Sequence, residues 1–133
     1  MAPQVPPVSS DPLGILLISG THERAHYAFV LAAGAAALGR HVTLFATNDG
    51  CRALLTDWTS LAEASRDAAI RTQGLAGLTE LRDATIELGA RLIACDAGLR
   101  MADLDPAALA PGVEIAGVAT FLDATRGGQL LTL

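Results

Sequence analysis

The sequence predicts a single-domain α/β protein with a mostly parallel five-stranded sheet and helices on both faces. Three observations carry that expectation. Several apolar runs, "LGILLISG" at residues 13–20 foremost, are continuous instead of alternating, which is how a strand buried on both faces reads. These runs alternate with stretches of helical period that open on capping residues and close on glycines, the pattern of βα units. The chain has 133 residues and is 51% hydrophobic, the size of one ordinary domain with a core to match.

Each element has its own local reason. Residues 1–12, "MAPQVPPVSSDP", are rich in Pro and Ser and lack the basic and apolar regions of a signal peptide. They are expected to be a disordered leader before a domain covering residues 13–133. After the first strand, Thr21 is an N-cap, Glu23 falls in the first helical turn and Gly39 is the C-terminal stop. The helix between them is apolar almost all the way round over residues 25–38, so two covering surfaces are expected: its own sheet and a second subunit. "HVTLFAT" is the second strand, closed by an Asn-Asp-Gly turn, and a short helix is expected from Cys51 to about residue 55.

Residues 56–77 combine a helical period around "SLAEASRDAAIR" with a Gly-containing break. "LTELRDATIELG" is an amphipathic helix whose Leu78, Leu81, Ile86 and Leu88 are expected to face inward, with Gly89 at its end. "ARLIAC" is the third strand, followed by helical character through Leu104 and a short turn opened by Pro106. "VEIAG", "VATFLDATRGG" and "QLLTL" give a fourth strand, a last helix and a final strand. The crossovers should be right-handed.

Composition excludes several function classes. The nine basic residues are all arginine, against fourteen Asp and Glu, for a formal net charge of −5. That balance argues against a nucleic-acid binder, which needs clustered positive charge. No basic amphipathic stretch fits a membrane surface. The longest apolar stretch, residues 25–39, is shorter than the roughly 20 residues that span a bilayer. Two cysteines, Cys51 and Cys95, make neither a disulfide framework nor a metal site at their spacing, and no cofactor motif is present. A cytoplasmic protein with reduced thiols is the expectation.

Chemistry in open α/β sheets gathers at the carboxyl ends of the strands. "SGTHER" has one turn glycine and neither dinucleotide nor P-loop spacing. His22 is left as an acid/base group, a partner for a thiolate, or a polar residue in a capping turn. In "TNDGC", Cys51 lies just past a turn and reads as a buried structural thiol. Cys95 closes a buried strand at the mouth of the next helix. A helix N-terminus favours an anion there by about 0.3–1 kcal/mol, whereas the neighbouring Asp96 carboxylate opposes one. Position alone leaves two readings open for Cys95, a reactive thiol and a core residue.

The stretches "THERAHYAFVLAAGAAALGRHVTLFATNDG", "ELGARLIACDAGLRM" and "GVEIAGVATFLDATRGGQLLTL" together resemble the DsrE/DsrF-like superfamily, which includes the TusD-type sulfur-relay proteins. The resemblance is strongest to its small peroxiredoxin-like and sulfurtransferase-type branch and covers most of residues 13–133, least well over 56–77. It implies a parallel α/β fold, assembly into trimers, hexamers or similar rings, and one cysteine that carries sulfur as a persulfide. Cys95 matches that cysteine. The N–H groups of Ala97 and Gly98 would then steady the anion, Gly98 would leave its approach open, and Arg100 and His22 would supply positive charge, with Asp96 opposing.

The expected function is therefore a sulfur carrier that passes sulfane sulfur from a donor to a relay partner protein, with no cofactor, nucleic acid or membrane. Two alternatives stand beside it. One is a non-catalytic assembly module with a packed Cys95. The other is a thiol peroxidase, for which Cys51 is the candidate resolving thiol and would need its Cα within about 7 Å of that of Cys95.

Overall fold

The structure, a computed structural model, describes residues 11–133. The expected leader lies outside the described residues except for Asp11 and Pro12. The Arg40 guanidinium donates to the carbonyl of Asp11 at 3.3 Å, and the Gln129 N–H donates to that of Pro12 at 2.9 Å.

The chain runs β1 (Leu13–Leu17), α1 (His22–Ala37), β2 (Val42–Ala46), a 3-10 segment (Asn48–Leu54), α2 (Arg66–Thr72) and α3 (Leu78–Glu87). It continues through β3 (Arg91–Cys95), α4 (Asp96–Met101), a 3-10 turn (Pro106–Ala108), β4 (Val113–Ala116), α5 (Val118–Ala124) and β5 (Gln129–Thr132). The five strands form one sheet in the order β4-β3-β2-β1-β5, and every pairing is parallel. The sheet is thus more uniform than the expected mostly parallel one.

The chain steps outward from β1 to β4 and then returns past β1 to lay β5 on the far edge. Right-handed crossovers taken in opposite directions put their helices on opposite faces. α1 packs on β1 and β2 with α3 beside it, and α5 packs on β2 from the other side. Strand side chains divide accordingly, with period two. Leu13, Ile15, Leu17, Val42, Leu44, Leu92 and Ala94 join Ala25, Ala28, Phe29 and Ala32 of α1 in the main core. Phe45, Ile93 and Cys95 meet Phe121 of α5 in a smaller cluster, where the Phe45 and Phe121 rings stack with centroids 5.0 Å apart. Among the described residues, this one helix of seven residues is what covers the second face. Val118 and Leu122 on it and Leu130 on β5 stay exposed.

Four expectations change. A second surface of α1, beside its sheet, is covered by α3 of the same chain, while Tyr27 on the helix and Leu38 at its end stay exposed. In α3 the buried residues are Leu78, Arg82 and Thr85; Leu81 and Ile86 are half-buried and Leu88 is 49% exposed. Arg82 goes inward because its Nη1 donates to the carbonyls of Ala53 at 3.0 Å and Leu55 at 2.6 Å, closing the end of the 3-10 segment. Burial lowers the pKa of this guanidinium, and the nearby Asp83 charge works the other way. Finally, the helical turn expected from Cys51 starts at Asn48, and α4 ends at Met101 instead of reaching Leu104.

Candidate functional site

Cys95 is both the last residue of β3 and the N-cap of α4. Its extended backbone (φ −67°, ψ 121°) lets Sγ accept the Gly98 N–H at 3.3 Å. The residue is 8% exposed, and its neighbours are Phe45, Ile93 and Phe121, with Leu16 and Ala116 at the margin. Of the two N–H groups expected to face the sulfur, Gly98 donates; Ala97 makes no such bond among the described residues.

Gly98 has a further reason to lack a side chain. A Cβ there would stand 2.5 Å from the Asn48 nitrogen and 2.6 Å from Thr47 Oγ1, so α4 begins directly on the junction of β2 and the 3-10 segment. Arg100 turns to Asp96, with Nη2 3.2 Å from Oδ2 across one helical turn, and both side chains are more than half exposed. The pair answers the charge of Asp96 locally.

Cys51 is fully buried, and its Sγ–H donates to the Ala46 carbonyl at 3.4 Å. Burial first, and the charge of Cys95 second, push the thiol up to about 11. Both cysteines are free. Cys51 belongs to the main core under α1, whereas Cys95 belongs to the cluster under α5. The structure therefore makes Cys51 a protonated core thiol.

His22 is brought to a different group. It is wholly buried, and its Nε2–H donates to Asp67 Oδ1 at 2.9 Å. The His26 ring stacks on it with centroids 5.5 Å apart, and the Trp58 indole lies 5.7 Å away, tilted by 50°. No hydrogen bond joins His22 to Cys95 among the described residues. Asp67 Oδ1 also accepts the N–H of Leu78 at 2.7 Å, the first residue of α3. Sequence reasoning missed Asp67, Trp58 and Arg82. One signal was present: the residue before α3 is Gly77, which has no capping oxygen, so the helix start needs an acceptor from elsewhere in the chain.

The family described as DsrE/DsrF/DrsH-like matches residues 57–131. That span contains Cys95 and α4, and it includes most of the 56–77 segment where the resemblance was thinnest. No curated protein matches the chain. Among solved structures, the ychN protein from E. coli is similar at 14% identity and a TM-score of 0.70, covering 92% of this chain and 99% of that one. The protein of unknown function MTH1491 from Methanobacterium thermoautotrophicum is similar at 19% identity and a TM-score of 0.56, covering 92% and 98%. These two likenesses speak for the fold. Among the described residues, no helix is long and apolar enough to cross a membrane. With more than half of its length matched by the family, the chain belongs to the DsrE/DsrF/DrsH-like family.

Proposed function

We propose that this protein carries sulfane sulfur as a persulfide on Cys95. The observation that carries the reading is the placement of one thiol at the carboxyl edge of a parallel sheet, its sulfur held by a backbone N–H at a helix start. Family membership adds to it. The Cys95 thiolate attacks the outer sulfur of a donor persulfide. A new S–S bond forms to Cys95, the donor S–S bond breaks, and the donor leaves as its thiolate. The reverse exchange, on a relay partner protein's thiolate, returns Cys95 to its starting state. Cys51 holds its proton, so it is a poor nucleophile toward a persulfide on Cys95.

The test is mass spectrometry after exposure to an organic persulfide. The expected result is one added sulfur, about 32 Da, on Cys95 and none on Cys51. Loss of the adduct in Cys95→Ser and its persistence in Cys51→Ser complete the pattern. An unmodified Cys95 that still alkylates normally would remove the carrier reading.

The low exposure of Cys95 and its aromatic neighbours favour a second reading, an assembly module in which the thiol is packing. Iodoacetamide separates the two. A carrier thiol alkylates at neutral pH in the folded protein, whereas a packed thiol alkylates only after unfolding. Self-association belongs to both readings. Its support is the thin cover of the second face, where Val118, Leu122 and Leu130 are exposed on the side that also holds Cys95.

A further inference from the structure

We infer that α5 is a lid over Cys95, latched by the Phe121 ring. Its purpose rests on the carrier reading, because it controls how the sulfur is reached; its test does not. Thiol exchange brings one sulfur into contact with another, yet Cys95 is buried in the closed structure. Some covering element has to move. The cluster that buries Cys95 contains one residue from a helix, Phe121 of α5, whose ring stacks on Phe45. α4 is not free to leave, since it begins at Cys95 itself and its Gly98 sits directly against the backbone of Asn48.

The attachment of α5 is slight. Phe121 and, just past the helix, Thr125 are its buried residues, while Val118 and Leu122 face outward. The Thr125 hydroxyl donates to the Phe121 carbonyl at 3.0 Å, and Arg126 pairs with Asp123, both within the segment. Among the described residues, no hydrogen bond or ion pair joins residues 118–127 to the sheet. What holds the helix down is a ring and a methyl group on bare β1: a Cβ on Gly14 would collide with Thr125 Cγ2 and stand 3.1 Å from the Phe121 ring. On the other face, by contrast, Asp67 and Arg82 tie α3 to its surroundings with hydrogen bonds. The N-cap of α5, Gly117, makes no side-chain cap bond, and Gly127 follows its end, so each end has a glycine to absorb a hinge rotation. Lifting α5 therefore breaks apolar contacts and no outside hydrogen bond, which puts its opening well below global unfolding. Closed, the lid keeps small thiols from a persulfide; open, it admits donor and acceptor.

The two thiols supply the experiment. Cys51, wholly buried in the main core, reports global unfolding, and Cys95 reports the lid. Iodoacetamide alkylation of each is followed by mass spectrometry of the full chain in low urea. One dilute protein concentration is used, because the outer face of α5 is also the surface argued above for self-association. In the wild-type chain the Cys95 rate should be nearly flat with urea, while the Cys51 rate climbs steeply with the surface exposed on unfolding. Phe121→Ala should raise the Cys95 rate by about tenfold or more. Phe29→Leu, in the main core away from α5, should raise the Cys51 rate and leave the Cys95 rate unchanged. Should Phe121→Ala fail to fold by circular dichroism, Phe121→Leu takes its place, with a smaller rise expected. Equal urea slopes for the two thiols would overturn the lid. So would a Cys95 rate unmoved by loss of the Phe121 ring, or one that rises with Cys51 in Phe29→Leu. Alkylation reads the bare thiol, so a lid that opens on a Cys95 that never takes up sulfur would sink the carrier reading alone. Sulfur uptake at a rate indifferent to Phe121 would sink the lid alone.

Discussion

Cys51 and Cys95 are both scarcely exposed, yet their surroundings differ in kind. Cys51 donates to a carbonyl inside the main core, while the Cys95 sulfur accepts an N–H at a helix start. The first arrangement favours the neutral thiol, and the second suits a sulfur that carries charge. This has a consequence for stability. The unfolded chain releases the Cys51 proton near pH 9.0, the folded chain at about 11. Between those values the folded state holds more protons, so its stability is complete below about pH 9 and falls as pH rises toward 11. Thermal melts from pH 8 to 11 should show Tm dropping through this window, with a shallower drop in Cys51→Ala. Equal slopes would mean that Cys51 does not titrate there. The strand-end position of Cys95 was legible because an apolar run ends where the sheet ends. The His22–Asp67 bond was not legible, because its partners stand 45 positions apart and meet only once the chain between them has folded.

The short helices obey local rules that the sequence shows and contacts that it does not. Gly39 and Gly89, with φ of 85° and 91°, end their helices as expected, since a left-handed residue there is easiest for glycine. Gly98 looked like an open approach to a thiol; it is also a contact point between α4 and the backbone of residues 47–48. Replacing it with alanine would force α4 outward and loosen the N–H bond to Cys95. Gly98→Ala is expected to cost about 1–3 kcal/mol in urea unfolding and to change the rate at which Cys95 alkylates. A variant with wild-type stability and wild-type alkylation would show that the close approach is dispensable. α3 carries the same lesson. Its leucines suggested one inward stripe, yet Arg82 took an inward place because two carbonyls at the end of the 3-10 segment needed donors.

At the scale of the whole molecule, one face of the sheet is covered by α1 and α3 and the other, among the described residues, by α5 alone. The apolar α1 packs on α3 of its own chain as well as on the sheet, and self-association is argued from α5 and β5, where Val118, Leu122 and Leu130 remain exposed. Light scattering should give a mass above the 13.6 kDa of one chain, and Val118→Ser with Leu122→Ser should shift it toward the monomer. A stable monomer at micromolar concentration would refute this. The sequence by itself determined the βα alternation, the burial of the strands and the strand-end place of Cys95, because these follow from apolar periodicity and capping along a few neighbouring residues. Only the tertiary structure decided that β5 lies beside β1, that α3 covers α1, and that Asp67 holds His22 and the start of α3 together. Each of these joins residues distant in sequence, and such pairings depend on how the folded layers satisfy their buried surface and hydrogen bonds.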